Sequence, residues 1–174
     1  MIVVVFGASA TGKSTLGESL ADAAGWPFVE GDDFHPDSNR ALMAAGIPLG
    51  DEERAPWLDA LARSMSERVN QGSSAVYACS ALKRRYRAAL LAYGIAPQDV
   101  RFVYLHASRA VLEERLANRS GHFFPVSLLD SQLNDLEPPG SDEPAPTLTV
   151  DATQPVDALV TQTLAWLGLR DRNR

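Results

Sequence analysis

The chain alternates short apolar runs with longer segments in which apolar side chains recur every three or four residues. The short runs are rich in β-branched residues, which is typical of buried strands. They predict strands at residues 2–6, 27–30, 75–79, 101–105 and 147–150. The longer segments predict helices at residues 13–24, 39–45, 51–69, 83–92, 109–117, 128–136 and 156–167.

Strands that are apolar throughout and alternate with helices predict an α/β fold with a parallel sheet covered on both faces. The length of 174 residues favours a single domain over residues 1–174. Two regions interrupt the plain alternation, at residues 34–69 and 118–140. Because the carboxyl ends of parallel strands share one edge, we expect the first region to bind substrate and the second to form a lid.

The first predicted strand leads into a glycine-rich loop that matches the phosphate-loop pattern G-x-x-x-x-G-K-[ST] in full. The loop consists of Gly7, Ala8, Ser9, Ala10, Thr11, Gly12, Lys13 and Ser14, with Thr15 following in the helix. Its glycines let successive N–H groups point inward, where they and the helix dipole bind phosphate. Lys13 is predicted to reach the β- and γ-phosphates, and the Ser14 hydroxyl to bind Mg²⁺. The loop alone leaves ATPase, GTPase, kinase and sensor open.

An acidic stretch at the end of the second predicted strand narrows the choice among ATPase, GTPase, kinase and sensor. A carboxylate at this edge can accept the proton of an attacking hydroxyl or hold a Mg²⁺-bound water. We predict Asp32 as the catalytic base. The alternative is that Asp32 and Asp33 only cap the following helix, which is a common role for aspartate.

The third predicted strand ends without an acid, because residues 75–81 contain neither Asp nor Glu. A generic P-loop ATPase needs a carboxylate there, so the absence favours a kinase whose acceptor is a bound hydroxyl. Lys83 follows where the chain turns toward the site, and we expect it to contact an anionic substrate. Arg84 and Arg85 are typical of a solvated helix face.

A further basic cluster follows the fourth predicted strand. Arg115 and Arg119 are four residues apart and therefore share one helical face, from which they could neutralise a transferring phosphoryl group. Gly121 supplies a hinge for a closing loop that would exclude water from the reaction. For His122 a substrate contact and an ordinary surface histidine remain equally open.

Composition limits the partners. The chain has 16 Lys and Arg against 22 Asp and Glu, a net charge of −6, which disfavours nucleic acid and anionic membranes as partners. The single cysteine, Cys79, excludes an internal disulfide and a cysteine-based zinc site, and it fits a reducing cytosol. No apolar run approaches the roughly 20 residues that span a bilayer. We expect a cytoplasmic protein.

Taken together, the motifs resemble those of bacterial-type gluconokinases, in order and in spacing, from residue 2 to about residue 160. The phosphate loop is common to many families, whereas the other motifs are far more specific. They are GDDFHP at 31–36, PLGDEERAPWL at 48–58, CSALK at 79–83 with Tyr86 and Arg87, and GHFF at 121–124.

The resemblance implies a P-loop fold of the nucleoside-monophosphate-kinase type, with three layers, a five-stranded parallel sheet and a lid. It also implies a Mg·ATP donor and phosphoryl transfer to the 6-hydroxyl of D-gluconate, giving 6-phosphogluconate. A homodimer is suggested by the resemblance alone. In this family pattern Ala10 and Thr11 replace the usual Gly and Ser, which should matter little because the main chain holds the phosphates.

Site roles follow from the resemblance by position. Asp32 would meet the acceptor hydroxyl, and His35 belongs to the same motif. The sugar acid would be bound by Arg54, Lys83 and His122, with Arg54 or Lys83 nearest its carboxylate. Gln132, in the helix after the lid, would also contact substrate. Arg119 would contact the phosphates, and Arg115 would lie against the adenine, beside the turn at 151–155.

Two other readings remain open. The chain could phosphorylate another small acceptor, such as shikimate or a nucleoside monophosphate, because only the acceptor pocket separates these kinases. It could also be a nucleotide-dependent switch without a small acceptor, which the missing third-strand acid and the lid cluster disfavour. A switch would hydrolyse ATP whether or not gluconate is present.

Overall fold

Five strands and seven helices make up the part of the chain that the structure describes. The computed structural model describes residues 1–118 and 126–172, with only the backbone at Val126. The strands are β1 Ile2–Phe6, β2 Phe28–Glu30, β3 Ala75–Cys79, β4 Val100–His106 and β5 Thr147–Asp151. The helices are α1 Lys13–Ala24, α2 Asp37–Ala44, α3 Asp51–Asn70, α4 Arg84–Ala89, α5 Arg109–Ala117, α6 Val126–Asp135 and α7 Val156–Leu167, and 3₁₀ turns lie at Gly31–Phe34 and Pro97–Asp99.

The strands form one parallel sheet in the order β2-β3-β1-β4-β5. At its centre, Ile2 of β1 lies opposite Ala75 of β3 and Val100 of β4. Side chains alternate across the sheet, so the central strands β3, β1 and β4 each contribute to two cores. Helices α3 and α4 cover one core, and α1 and α7 cover the other. The predicted α/β fold with three layers and a five-stranded parallel sheet is confirmed.

This topology creates a crevice at the carboxyl edge of the sheet. The chain leaves β1 toward α1 on one face, whereas it leaves the neighbouring β3 toward α4 on the other face. Loops that diverge in this way open a crevice, which is where ligands bind in open α/β sheets. The phosphate loop and the Lys83 segment begin at its two sides.

Most predicted boundaries hold, and α1 and α7 have the predicted bounds. The helix predicted at 83–92 is wrong at its end, because α4 stops at Ala89. Turns replace the helix at residues 91 and 92 and lead into Tyr93 and Gly94, with φ of 59° and 78°. No right-handed helix accommodates such angles. Pro56 lies inside α3 without interrupting it.

A buried arginine fixes the proline-rich segment between α6 and β5. Arg87 is 0% exposed, and its guanidinium donates to both carboxylate oxygens of Glu143 at 2.7 and 2.6 Å. It also donates to the carbonyls of Ala81, Leu82 and Glu137 at 3.1, 2.9 and 3.0 Å. The segment is thereby held against the loop that follows β3. In the described ranges, no helix has the length and apolar character needed to cross a membrane.

Candidate active site

The glycine-rich loop adopts backbone angles that suit a phosphate cradle. Gly7 and Gly12 have φ of 153° and 96°, and a Cβ on Gly7 would lie 2.7 Å from the carbonyl oxygen of Leu105. Ala10 is also left-handed, with φ of 65°, a conformation that costs an L-residue roughly 1–2 kcal/mol. The Thr11 hydroxyl donates to the Ala8 carbonyl at 2.8 Å and closes the loop from within.

The first turn of α1 presents positive charge to the crevice. Gly12 is the N-cap, so no side chain caps the helix, and its first turn holds no acid. The uncapped N–H groups and the helix dipole therefore favour an anion. The Lys13 ammonium donates to the Ala8 carbonyl at 3.0 Å, which places it over the loop.

A carboxylate reaches Ser14 from the neighbouring part of the sheet. The Ser14 hydroxyl donates to Oε2 of Glu30, at the end of β2, at 2.6 Å. Glu30 is not among the predicted site residues, although the sequence leaves open whether Glu30 or Asp32 meets Mg²⁺ at the end of this strand. A hydroxyl and a carboxylate are oxygen donors of the kind that Mg²⁺ prefers, usually with substrate phosphates completing its shell. The donor set therefore fits Mg²⁺.

Gly31 brings Asp32 to the crevice. A Cβ on Gly31 would lie 2.4 Å from the Ala78 carbonyl oxygen and 2.8 Å from the Cβ of Cys79, so only glycine allows this approach to β3. The Trp57 indole N–H holds the turn by donating to the Gly31 carbonyl at 2.8 Å. The Asp32 side chain is 69% exposed.

The capping role for the two aspartates is not what the structure shows. The N-cap of α2 is Pro36, and no side chain caps that helix. Asp32 and Asp33 instead lie inside the 3₁₀ turn.

Cys79 is buried at the end of β3. Burial raises the pKa of its thiol to about 12, so the thiol is not a nucleophile at neutral pH. The charges of Lys13, Asp32 and Glu30 all act on it as smaller influences. Glu30 and Asp32 flank Gly31, whose close approach to Ala78 and Cys79 places both residues beside the end of β3.

His35 is buried beneath Asp32 as a neutral imidazole. Its ring stacks on Trp57, with centroids 4.4 Å apart and planes 10° apart. The Asn39 amide donates to Nδ1 at 3.2 Å, which leaves the proton on Nε2, 3.9 Å from Oδ1 of Asp32. Burial lowers the pKa of His35 from 6.5 to about 4, with Asp32 opposing the shift.

Arg54 is a buried cation without an acidic partner among the described residues. It is 7% exposed, and its guanidinium donates to the Leu49 carbonyl at 3.2 Å and to the Ser80 hydroxyl at 3.4 Å. The guanidinium carbon lies 5.6 Å from the centre of the Tyr86 ring. A buried guanidinium of this kind favours an anionic ligand.

Lys83, by contrast, already has two carboxylate partners. Its ammonium lies 3.1 Å from Asp51 and 3.1 Å from Asp135. Asp51 also accepts hydrogen bonds from Arg85 and Tyr86. These hydrogen bonds, with that from Tyr86 the largest influence, lower the pKa of Asp51 to about 2. Neither carboxylate was among the predicted site residues.

Arg115 and Gln132 both contact the phosphate loop from outside. Arg115 donates to the carbonyls of Ala10 and Thr11 at 3.2 and 3.1 Å, and to that of Ala152 at 2.6 Å. It thus joins the loop to the turn after β5, where the adenine contact is predicted. Both polar atoms of the Gln132 amide bind Ser9.

The remaining predicted site residues, Arg119 and His122, lie outside the described residues, as does Gly121. Among residues 1–118 and 126–172, no group of three or more His, Cys, Asp or Glu side chains is placed to hold a metal by itself. A metal at Ser14 and Glu30 would therefore depend on ligands from the nucleotide and water.

A phosphate loop at the head of α1, with acids and cations at the same sheet edge, defines a P-loop kinase.

Residues 2–139 match the AAA domain family. The chain is 47% identical to the gluconokinase of Gluconobacter oxydans (strain 621H) over 142 residues, 82% of this chain and 78% of the relative. It is 41% identical to the thermoresistant gluconokinase of Escherichia coli (strain K12) over 165 residues, covering 94% and 91%.

The structural comparison agrees. The crystal structure of a gluconokinase from Sinorhizobium meliloti 1021 superposes with a TM-score of 0.82 at 45% identity, covering 95% of this chain and 90% of that one. The chain belongs to the gluconokinase family, and the resemblance predicted from its motifs is confirmed.

Proposed function

We propose that this chain transfers the γ-phosphoryl group of ATP to the 6-hydroxyl of D-gluconate, giving ADP and 6-phosphogluconate. The observation that carries the proposal is the hydrogen bond from Ser14 of the phosphate loop to Glu30, two residues before Asp32, in a chain 47% identical to a gluconokinase. One edge of the sheet then holds both the phosphate cradle and the acceptor base.

The phosphate loop positions the donor. Its inward N–H groups and the first turn of α1 bind the phosphates, and Lys13 exchanges its bond to Ala8 for the β- and γ-oxygens. We propose that Arg119 adds positive charge from the lid. Charge spread over the transferring group is thereby stabilised, which is the main source of catalysis in phosphoryl transfer.

Asp32 prepares the acceptor. Its carboxylate accepts the proton of the 6-hydroxyl as the oxygen forms a bond to the γ-phosphorus, while the bond from that phosphorus to the bridging oxygen breaks and ADP leaves. The neutral His35 beneath it has Nε2 3.9 Å from Oδ1 of Asp32 and leaves the charge of the carboxylate intact.

Mg²⁺ is proposed as the metal, held by Ser14 and, directly or through water, by Glu30. It would neutralise charge between the β- and γ-phosphates. The oxygen donors at 2.6 Å from each other support this assignment.

Arg54 is proposed to receive the carboxylate of gluconate. Lys83 has two acidic partners, whereas Arg54 has none among the described residues. The charge of Arg54 is therefore less well compensated, and a carboxylate ligand is stabilised more by binding there. Lys83 and His122 are proposed to bind hydroxyl groups of the same ligand.

Cytoplasmic location and a homodimer are also proposed, the first from the single reduced cysteine and the second from the resemblance. Light scattering of the purified protein tests the dimer.

A coupled assay of ATP consumption tests the function. It compares D-gluconate with other sugar acids, shikimate, nucleoside monophosphates and no acceptor. We expect turnover with gluconate to exceed all others, and Lys13→Ala to abolish it. Equal ATP hydrolysis without any acceptor would contradict the proposal, as would preference for shikimate or a nucleotide.

A further inference from the structure

One turn of α6 touches both halves of the proposed site. Gln132 accepts the Ser9 main-chain N–H at 2.7 Å through Oε1, and its Nε2 donates to the Ser9 hydroxyl at 2.9 Å. Three residues later, Oδ1 of Asp135 lies 3.1 Å from the Lys83 ammonium. Residues three apart share a helical face, so this face of α6 connects the phosphate loop to the acceptor side.

Packing fixes α6 to both of these regions. Leu129 is fully buried against Ala8 of the phosphate loop and Leu112 of α5. Beyond the helix, the Glu137 N–H donates to the Leu82 carbonyl at 3.0 Å, and the Glu137 carboxylate accepts the Arg84 N–H at 2.6 Å. A shift of the helix at one end therefore alters contacts at the other.

The two polar contacts also occupy groups that the substrates need. The Ser9 N–H is a donor of the phosphate loop, and Gln132 satisfies it. Asp135 neutralises Lys83, and an anionic ligand that approaches this lysine would be repelled by the same carboxylate. A hydroxyl group of the sugar acid that binds Lys83 therefore competes with Asp135 for the ammonium.

We propose that Gln132 and Asp135 are positioning residues that couple the nucleotide and sugar-acid sites through α6. The inference rests on the proposed function. When the sugar acid engages Lys83, the pair with Asp135 weakens, α6 moves, and Gln132 repositions Ser9 for the nucleotide. Each substrate then binds more tightly in the presence of the other, because coupling between sites is reciprocal.

The experiment measures this coupling directly. The dissociation constant of a non-hydrolysable ATP analogue with Mg²⁺ is determined by calorimetry with and without saturating gluconate. In the wild type we expect gluconate to tighten nucleotide binding about fivefold or more. In Gln132→Met and in Asp135→Asn the ratio should fall to near one, whatever the separate affinities become.

Asp130→Asn is the matched control. Asp130 lies on the same helix and pairs with Arg109 of α5 on an exposed surface, outside both sites. This variant should keep the wild-type ratio. A double variant, Gln132→Met with Asp135→Asn, should lose no more coupling than either single variant, because both act through one helix.

Two results would overturn the inference: a wild-type ratio of one, or variants that bind each substrate more weakly but keep the wild-type ratio. Turnover separates this failure from that of the proposed function. A wild type that phosphorylates gluconate without coupling refutes only the role of α6. If the acceptor screen identifies a different substrate, the proposed function fails, and the ratio is measured with that substrate instead.

Discussion

The Ser14 hydroxyl donates a short hydrogen bond to the Glu30 carboxylate, which joins the first turn of α1 to the end of β2. In a P-loop site an acid near this serine commonly comes from a strand beside the loop. Here β3 has no acid at its end, and the carboxylate comes from β2, one strand farther out. Glu30 therefore lies one strand farther from the phosphate loop than the usual acid, but it reaches the same serine hydroxyl.

Glu30→Gln should weaken metal binding. The amide retains the size of the side chain and loses its charge, so we expect the Mg²⁺ concentration for half-maximal activity to rise about tenfold or more. Titration of Mg²⁺ at saturating ATP and gluconate measures it. Glu18→Gln, at an exposed position on α1, is the control. An unchanged Mg²⁺ requirement in Glu30→Gln would remove Glu30 from the metal site.

Asp32→Asn should leave ATP binding intact and slow phosphoryl transfer. Loss of a general base lowers the rate by about 100- to 10,000-fold. Steady-state kcat and the dissociation constant for the ATP analogue distinguish the two effects. Asp33→Asn changes the neighbouring exposed acid and should have little effect on kcat. A kcat close to the wild-type value in Asp32→Asn would show that another group takes the proton.

The sequence predicts the parts of this site that depend on local pattern. The phosphate loop and α1 follow from the motif after the first strand. Asp32 follows from its place at the end of the second strand. The charge network of Asp51, Lys83 and Asp135 could not be predicted in the same way, because its members come from separate elements that only the folded chain brings together.

Backbone constraints that arise from tertiary packing could not be predicted from the sequence either. Gly31 stands in the sequence as one glycine among 12, and only its approach to β3 explains why that position excludes a side chain. Tyr93 has a left-handed φ of 59°, and its residue type gives no signal of this conformation. The left-handed φ of Ala10 likewise appears only in the structure.

Arg54→Ala should raise the KM for gluconate about 10- to 100-fold, which is the range for losing a hydrogen-bonded ionic contact. The KM for ATP should change much less. Arg63→Ala, on the same helix but in an exposed pair with Asp59, is the matched control and should change neither value. Equal increases in both KM values for Arg54→Ala would show that Arg54 does not belong to the acceptor site.

His35 should make the protein less stable in mild acid. Above pH 6.5 the imidazole is neutral in both the folded and the unfolded chain. Below it the unfolded chain gains a proton that the folded chain, with a pKa of about 4, does not accept. The free energy of unfolding should therefore fall by up to about 1.4 kcal/mol per pH unit between these values.

Urea unfolding from pH 7 to pH 4.5 measures this dependence. In His35→Phe, which keeps an aromatic ring against Trp57, the decline should be shallower than in the wild type. In His106→Gln, at an exposed position, it should not change. Identical slopes for His35→Phe and wild type would mean that the buried imidazole does not drive the loss.

Arg87→Met should destabilise the fold because it leaves the Glu143 carboxylate buried without a cation. Removing one partner of a buried pair costs about 3–5 kcal/mol. Arg84→Met is the matched control: its pair with Asp142 is exposed, and its loss should cost about 1 kcal/mol or less. Arg87→Met with Glu143→Leu should recover part of the stability lost in the single variant. Without that recovery in urea unfolding, the cost would come from the carbonyls that Arg87 binds and not from the unpaired charge.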